Sequence, residues 1–190
     1  PPEAEREAIH RVIELAAVSG VKLYIVHIST AGGAAAVSRA KQRNQPVFGE
    51  TCPQYLLLTD KLYDLPGFEA AKFVCSPPLR PRQNLDALWG GLGKGTLSSI
   101  GTDHCPFFFE GQKSLGQKDF RRIPGGLPGV QSRLELIYSY GVVPGKITLG
   151  QWVESCCANP ARIFGLYPQK GAVVPGAGAE VARRSRRTSR

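Results

Sequence analysis

Methionine is absent from the 190 residues, and histidine occurs only three times. The chain opens Pro1-Pro2-Glu3-Ala4-Glu5-Arg6, with no basic stretch leading into an apolar one, so no secretory leader is expected. Without an initiator methionine, the chain reads as a piece of a longer protein. No apolar run approaches the roughly 20 residues that cross a bilayer, so no membrane segment is expected. The five cysteines, Cys52, Cys75, Cys105, Cys156 and Cys157, are odd in number and form no C-x-x-C pair. That pattern indicates neither a disulfide framework nor a cysteine zinc knuckle, and it fits reduced thiols in the cytoplasm. The G-x-S-x-G elbow of serine hydrolases is missing. Gly90-Gly91-Leu92-Gly93-Lys94-Gly95-Thr96 carries the letters of a phosphate loop in the wrong order, and ahead of a strand rather than behind one. A nucleophile pair of Cys105 with His104 has no third, orienting group.

What is present suits one globular unit. Hydrophobic residues make up 42% of the chain, enough for a core, while 22 glycines and 15 prolines predict many short connections. The formal net charge is +9, from 24 basic and 15 acidic residues. Arg183, Arg184, Arg186, Arg187 and Arg190 crowd the last ten positions. No aromatic residue is interleaved with them, so a disordered or altered terminus is expected there rather than a nucleic-acid-binding arm.

Apolar patterning predicts alternating helices and strands. Pro2 to Gly20 reads as a helix with Ala8, Val12, Leu15 and Ala16 on one face, acids early and Gly20 as its stop. Leu23-Tyr24-Ile25-Val26 reads as a buried parallel strand ending in His27-Ile28-Ser29-Thr30, followed by a helix from Ala34 to Gln42. Pro46 to Gly49 and Leu97 to Gly101 predict two further strands, with a helix from Asn84 to Gly90 between them. Phe107 to Pro128 predicts a long loop, and Val130 to Tyr140 and Gln151 to Ala158 predict helices. The expected class is α/β, a parallel sheet of about three strands with flanking helices, too few strands to close a barrel.

Each chemically capable cluster falls just behind a predicted strand, at the end where parallel sheets carry their sites. His10, mid-helix among Arg and Glu, reads as a surface residue. His27 follows the first strand, where a histidine can equally be a core residue satisfied by backbone. Asp103 follows the third, where an acid can equally cap a loop. Their equivalent positions on two parallel strands allow both to reach one crevice, and imidazole nitrogen with carboxylate oxygen is a zinc donor set. Two donors alone do not hold a catalytic metal.

Several strings, in order, resemble one family. They are Val26-His27-Ile28-Ser29, Gly49-Glu50-Thr51-Cys52-Pro53-Gln54-Tyr55-Leu56, Cys75-Ser76-Pro77-Pro78-Leu79-Arg80 and Thr102-Asp103-His104-Cys105-Pro106-Phe107. Phe109-Glu110-Gly111-Gln112-Lys113, Ile123-Pro124-Gly125-Gly126-Leu127-Pro128-Gly129-Val130 and Asn159 to Pro168 continue the series. Together they are similar to the dihydropyrimidinase/hydantoinase branch of the amidohydrolases. The resemblance implies the C-terminal part of a (β/α)8 TIM-like barrel over residues 1–171 with trailing helices. Residues 172–190 would be an atypical arginine-rich tail, the start of a truncated or frameshifted β-domain.

The resemblance also implies chemistry. Relatives hold two divalent metal ions, usually zinc, bridged by a hydroxide and a carboxylated lysine. His27 matches a metal ligand on the sixth barrel strand, and Asp103 matches the ligand and general base on the eighth. Ser76 and Gly125 match segments whose main chain binds a small cyclic diamide, although many relatives carry Asn at the Gly125 position. The family's H-x-H, its lysine and a further histidine have no counterparts in this chain, which is therefore expected to be inactive alone. The implied reaction opens a dihydropyrimidine or hydantoin ring to an N-carbamoyl amino acid. A homo-tetramer is the implied assembly. The alternatives are a non-catalytic dihydropyrimidinase-related scaffold and an allantoinase- or dihydroorotase-type enzyme.

Overall fold

A computed structural model describes residues 1–178, so the arginine cluster at 183–190 lies outside the described residues. Helix α1 (Pro2–Ser19) has Pro2 in its first turn, Glu3 and Glu5 near its positive end, and Gly20 at φ 68° closing it. Only a residue tolerant of left-handed backbone ends a helix this way without steric cost. The face α1 buries is Ile9, Ile13 and Ala16, whereas Val12 and Leu15 from the expected apolar face stay exposed. The helix has apolar residues on two sides, and periodicity does not choose between them. Packing does: the Ile9 side chain meets α2 (Ala31–Gln42) where Gly33 leaves room for it.

Strands β1 (Leu23–Ile25), β2 (Val47–Thr51) and β3 (Ser99–Ile100) form a parallel sheet in the order β1-β2-β3. Leu23 pairs with Val47, Ile25 with Gly49, and Glu50 with Ser99. The strands are offset from expectation: β2 starts at Val47 and runs on through Glu50 and Thr51, and β3 is confined to two residues. Hydrogen bonding sets these limits. The Ser98 and Gly101 amides donate to the Gly49 and Thr51 carbonyls at 2.7 and 2.9 Å. Gly49 sits in a tight spot: a β-carbon there would lie 3.0 Å from the Ile28 side chain and 3.1 Å from that of Leu97.

Alanine-rich α2 and helix α4 (Arg82–Gly93) cover this sheet, and both are longer than the sequence suggests. The extra turn of α2 is stabilised by Thr30, whose hydroxyl accepts from the Gly33 amide at 3.0 Å. Asn84 of α4 adds an acceptor for the Ala31 amide at 2.9 Å. Val37, Ala40, Val47, Leu88, Trp89 and Ile100 are buried in one cluster, and the Trp89 indole donates to the Leu56 carbonyl at 3.0 Å. Short helix α3 (Pro53–Leu57) follows β2 directly. Helix α5 (Arg133–Ile137) starts later than expected and widens into a π-helical turn over Tyr138–Val142. Helices α6 (Leu149–Val153) and α7 (Asn159–Ile163) flank a second such turn, and Thr148 and Gln151 form a reciprocal cap at the start of α6.

Candidate active site

The site residues sit on the turns that leave β1 and β3. His27 has φ 42° and Asp103 has φ 47°; Asn44 is the only other described non-glycine residue with positive φ. A non-glycine residue held there costs about 1–3 kcal/mol, and such strain clusters at functional sites. Asn44 lies in the turn that ends α2, where its short amide tolerates the conformation. The other two are the candidate metal ligands. Hydrogen-bonded strands lie about 4.8 Å apart, so the two strands flanking β2 stand roughly 10 Å from each other. Side chains from both can meet over the carboxyl end of β2.

Each turn is tied from several directions. Glu50 of β2 accepts from the His27 amide through Oε1 at 3.4 Å and from the Tyr24 hydroxyl through Oε2 at 2.7 Å. The Ile28 amide donates to the Glu50 carbonyl at 2.7 Å, and the Thr51 hydroxyl donates to the Ile28 carbonyl at 2.8 Å. Beyond it, Glu5 of α1 receives the amides of Ser29 and Thr30, both at 3.0 Å, and their hydroxyls. On the other side, Gln54 donates to the Thr102 carbonyl at 3.4 Å. His104 Nδ1 accepts from the Gly129 and Val130 amides at 3.0 and 3.2 Å. Two donors onto Nδ1 place the ring proton on Nε2, so His104 fastens the 127–130 turn beside Asp103.

Ser76 and Gly125, both exposed, come from distant parts of the chain and lie side by side. The Gly126 amide donates to the Val74 carbonyl at 2.9 Å, and a β-carbon on Gly125 would be 3.9 Å from the Ser76 nitrogen. The same loop is joined to the Asp103 turn by the Cys105 amide, which donates to the Leu127 carbonyl at 3.1 Å. Asp103, Ser76 and Gly125 are thus carried by segments hydrogen-bonded to one another. Electrostatics agree with this placement. Burial, then the carboxylates of Glu50 and Asp103, push the Cys52 thiol far up. Burial also raises the Tyr55 hydroxyl and the Cys75 thiol, with Asp103 adding to each. The charge of Asp103 therefore reaches across the end of β2.

The glycines of this loop differ in what they permit. Gly125 has only ordinary contacts around its missing β-carbon, whereas one on Gly126 would lie 2.4 Å from the Cys105 carbonyl oxygen. Gly125→Asn should leave the unfolding free energy from urea titration within about 0.5 kcal/mol of the parent. Gly126→Ala should cost about 1–3 kcal/mol by overpacking. Equal effects from the two would show that the backbone approach is not the constraint.

The metal donors are of the right kind but few. Among the described residues, no group of three or more His, Cys, Asp or Glu side chains is placed to share one ion. His27 and Asp103 offer nitrogen and oxygen, which suit zinc, yet a catalytic zinc has about three protein ligands. His10 is elsewhere, on α1, with Nε2 receiving the Arg39 guanidinium at 2.9 Å. Cys75 is buried, whereas Cys105, in the turn after β3, is exposed.

Residue-level reading passed over Glu50 and Lys113, although both stand in strings quoted above. Glu50 follows a buried glycine within a strand, where a carboxylate needs a partner, and that was the available signal. Lys113 is 3% exposed and donates to the Val74 and Pro124 carbonyls at 3.0 and 3.1 Å. A lysine in a glycine-rich loop carries no sign of burial in its local sequence.

The amidohydrolase family profile matches residues 1–181. Among curated relatives, D-hydantoinase of Streptomyces coelicolor is 54% identical over 178 residues, 93% of this chain and 38% of that protein. D-hydantoinase of Geobacillus stearothermophilus is 43% identical over 181 residues, 95% of this chain and 38% of that protein. The crystal structure of dihydropyrimidinase from Brevibacillus agri superimposes with a TM-score of 0.93 at 46% identity, over 94% of this chain and 39% of that one. L-Hydantoinase (dihydropyrimidinase) from Arthrobacter aurescens gives 0.85 at 32% identity, over 94% and 39%. The chain thus spans about two fifths of the length of the relatives it matches, and its three-stranded sheet with flanking helices is a partial barrel. The chain belongs to the amidohydrolase family, on its hydantoinase and dihydropyrimidinase branch.

Proposed function

We propose that this chain supplies one side of the active site of a metal-dependent hydrolase that opens cyclic diamides, dihydropyrimidines or hydantoins, to N-carbamoyl amino acids. The observation that carries the reading is the matched left-handed geometry of His27 and Asp103 on the strands flanking β2. Packing alone gives no reason to strain both residues, so a non-catalytic scaffold explains less. The names of the relatives, D-hydantoinase and dihydropyrimidinase, point the same way.

His27 and Asp103 would serve as ligands to a pair of divalent metal ions, zinc in kind, with the remaining ligands supplied from outside this chain. When bound, the metals supply Lewis acidity toward the ring carbonyl and lower the pKa of the attacking water. Asp103 would take the proton of that water as the new C–O bond forms and return it to the ring nitrogen, so that the C–N bond breaks in a second step with a protonated leaving group. Its neighbours keep the carboxylate on a fixed turn, which spares reorganisation during the transfer. The main chain at Ser76 and Gly125 holds the diamide by complementary donors and acceptors, and Gly125 leaves the ring face open. A homo-tetramer and a cytoplasmic location complete the proposal. Free thiols suit that compartment, and no described helix is long and apolar enough to cross a membrane.

The test joins this chain to the N-terminal barrel region of the Streptomyces coelicolor enzyme and measures N-carbamoyl product from dihydrouracil and hydantoin with zinc present. The joined protein should turn over and lose activity to a chelator, while the chain alone stays inert. A folded, zinc-loaded joined protein that opens neither ring would refute the reading. Turnover of allantoin or dihydroorotate instead would move it within the family.

A further inference from the structure

We propose that Lys113 is a positioning residue for the substrate: its ammonium joins the Val74 and Pro124 carbonyls and so sets the spacing between the main-chain groups of Ser76 and Gly125. The inference rests on the proposed diamide hydrolysis and assigns a residue that touches neither metal nor substrate. Lys113 begins the short 3-10 turn Lys113–Gly116 inside the long loop after β3. Its residue exposure is only 3%, in a segment whose neighbours Gln112 and Leu115 face solvent. A buried ammonium is costly unless its protons are used. Here Nζ donates to Val74 at 3.0 Å and to Pro124 at 3.1 Å and lies 5.9 Å from the centre of the Phe107 ring. No described carboxylate pairs with it, and burial pulls its pKa down.

The placement of the two carbonyls gives the lysine its role. Val74 precedes Ser76 by two residues, and Pro124 is followed directly by Gly125. The Gly126 amide closes the same junction by donating to Val74 at 2.9 Å, so the Val74 carbonyl receives both a neutral and a charged donor. These two segments are about fifty residues apart in sequence. Apart from the one amide contact, Lys113 is the described side chain that hydrogen-bonds both. The Phe107 ring, in the segment that leaves the Asp103 turn, has its centre 5.9 Å from the same ammonium. The loop therefore ties the substrate-binding main chain to the catalytic turn through a single cationic centre. Gly116, at the end of the same turn, fixes its seat: a β-carbon there would lie 2.7 Å from the Ile123 nitrogen, so the turn packs directly on the 123–126 strand of loop.

The experiment has two arms on the same variants, Lys113→Met and Lys113→Gln. In the chain alone, amide hydrogen exchange should rise about tenfold or more at the hydrogen-bonded amides of the two segments, Val74 and Gly126, in Lys113→Met, and less in Lys113→Gln, which keeps a neutral NH2 donor group. The α1 and α2 amides should keep their protection. In the chain joined to the Streptomyces coelicolor barrel region, Lys113→Met should raise KM for dihydrouracil about tenfold or more with zinc content unchanged, and Lys113→Gln should recover part of it. A purely structural lysine would instead loosen the whole chain and lower the amount of folded enzyme without moving KM. Unchanged exchange at the two segments overturns the proposal, and so does raised exchange with an unaltered KM. If Lys113→Met does not fold, Lys113→Gln decides by the same two readings. An inert parent enzyme removes the hydrolase reading and the substrate role of Lys113 together, and the exchange arm then still reports whether the tether exists.

Discussion

Asp103→Asn in the joined, zinc-loaded enzyme should lower kcat for dihydrouracil by about 10²–10⁴-fold, the usual contribution of a positioned general acid–base group. Asparagine is chosen over alanine because its short amide tolerates the left-handed backbone at φ 47° that Asp103 occupies. The turn should therefore persist, and the loss reports on the proton and the metal rather than on refolding of the loop. The amide can still offer an oxygen to a metal but cannot take a proton from water at neutral pH. Zinc per protomer, measured alongside, separates the two: metal retained with turnover lost assigns the proton, and both lost together assigns ligation first. Turnover within a few-fold of the parent would remove Asp103 from the reaction. The His104 contacts to Gly129 and Val130 should survive in either case, since they are made by the His104 ring and not by the Asp103 carboxylate.

The second large effect concerns folding. Glu5→Ala should destabilise the chain by about 3–5 kcal/mol, the cost of leaving a buried partner charge unpaired. Glu5 and Arg80 have side-chain exposures of 11% and 8% and approach to 3.4 Å, and Arg80 Nε also donates to the Ser29 hydroxyl at 3.0 Å. Glu5 additionally receives the two amides and two hydroxyls of Ser29 and Thr30. Removing it leaves Arg80 charged without a carboxylate and strips the turn that follows His27 of its acceptor. A urea midpoint shift is the direct reading. Replacing both members by apolar residues, Glu5→Leu with Arg80→Met, should recover part of the loss, because no buried charge is then left alone. A loss under about 1 kcal/mol for Glu5→Ala would mean that water replaces the carboxylate, as at an exposed pair.

Much of this protein was legible along the chain. The alternation of apolar runs with capped helices predicted a parallel sheet of about three strands, and three are present; their spatial order was not foreseen, and β1 is half-buried rather than buried. Both candidate metal ligands were found by their position after a strand, and both follow one. The errors were of kinds that local pattern cannot avoid. Helix α1 buries Ile9 and Ile13 rather than the Val12 and Leu15 side, since two apolar faces compete and only contact with α2 selects one. Strand β2 runs on through Glu50 because its neighbours offer hydrogen bonds there, not because of its own residues.

Residue order alone thus established the class of fold, the family and the two turns that carry His27 and Asp103, because hydrophobic period, helix ends and motif strings are short-range properties of a chain. The rest needed three dimensions. That Ser76 meets Gly125, that Glu50 braces the His27 turn, that Glu5 closes on Arg80 and that Lys113 is buried between two carbonyls are contacts between residues 23 to 75 positions apart or between loops of irregular backbone. No local preference encodes such meetings; they exist because a parallel sheet brings the ends of distant strands to one edge and requires every buried polar group there to find a partner.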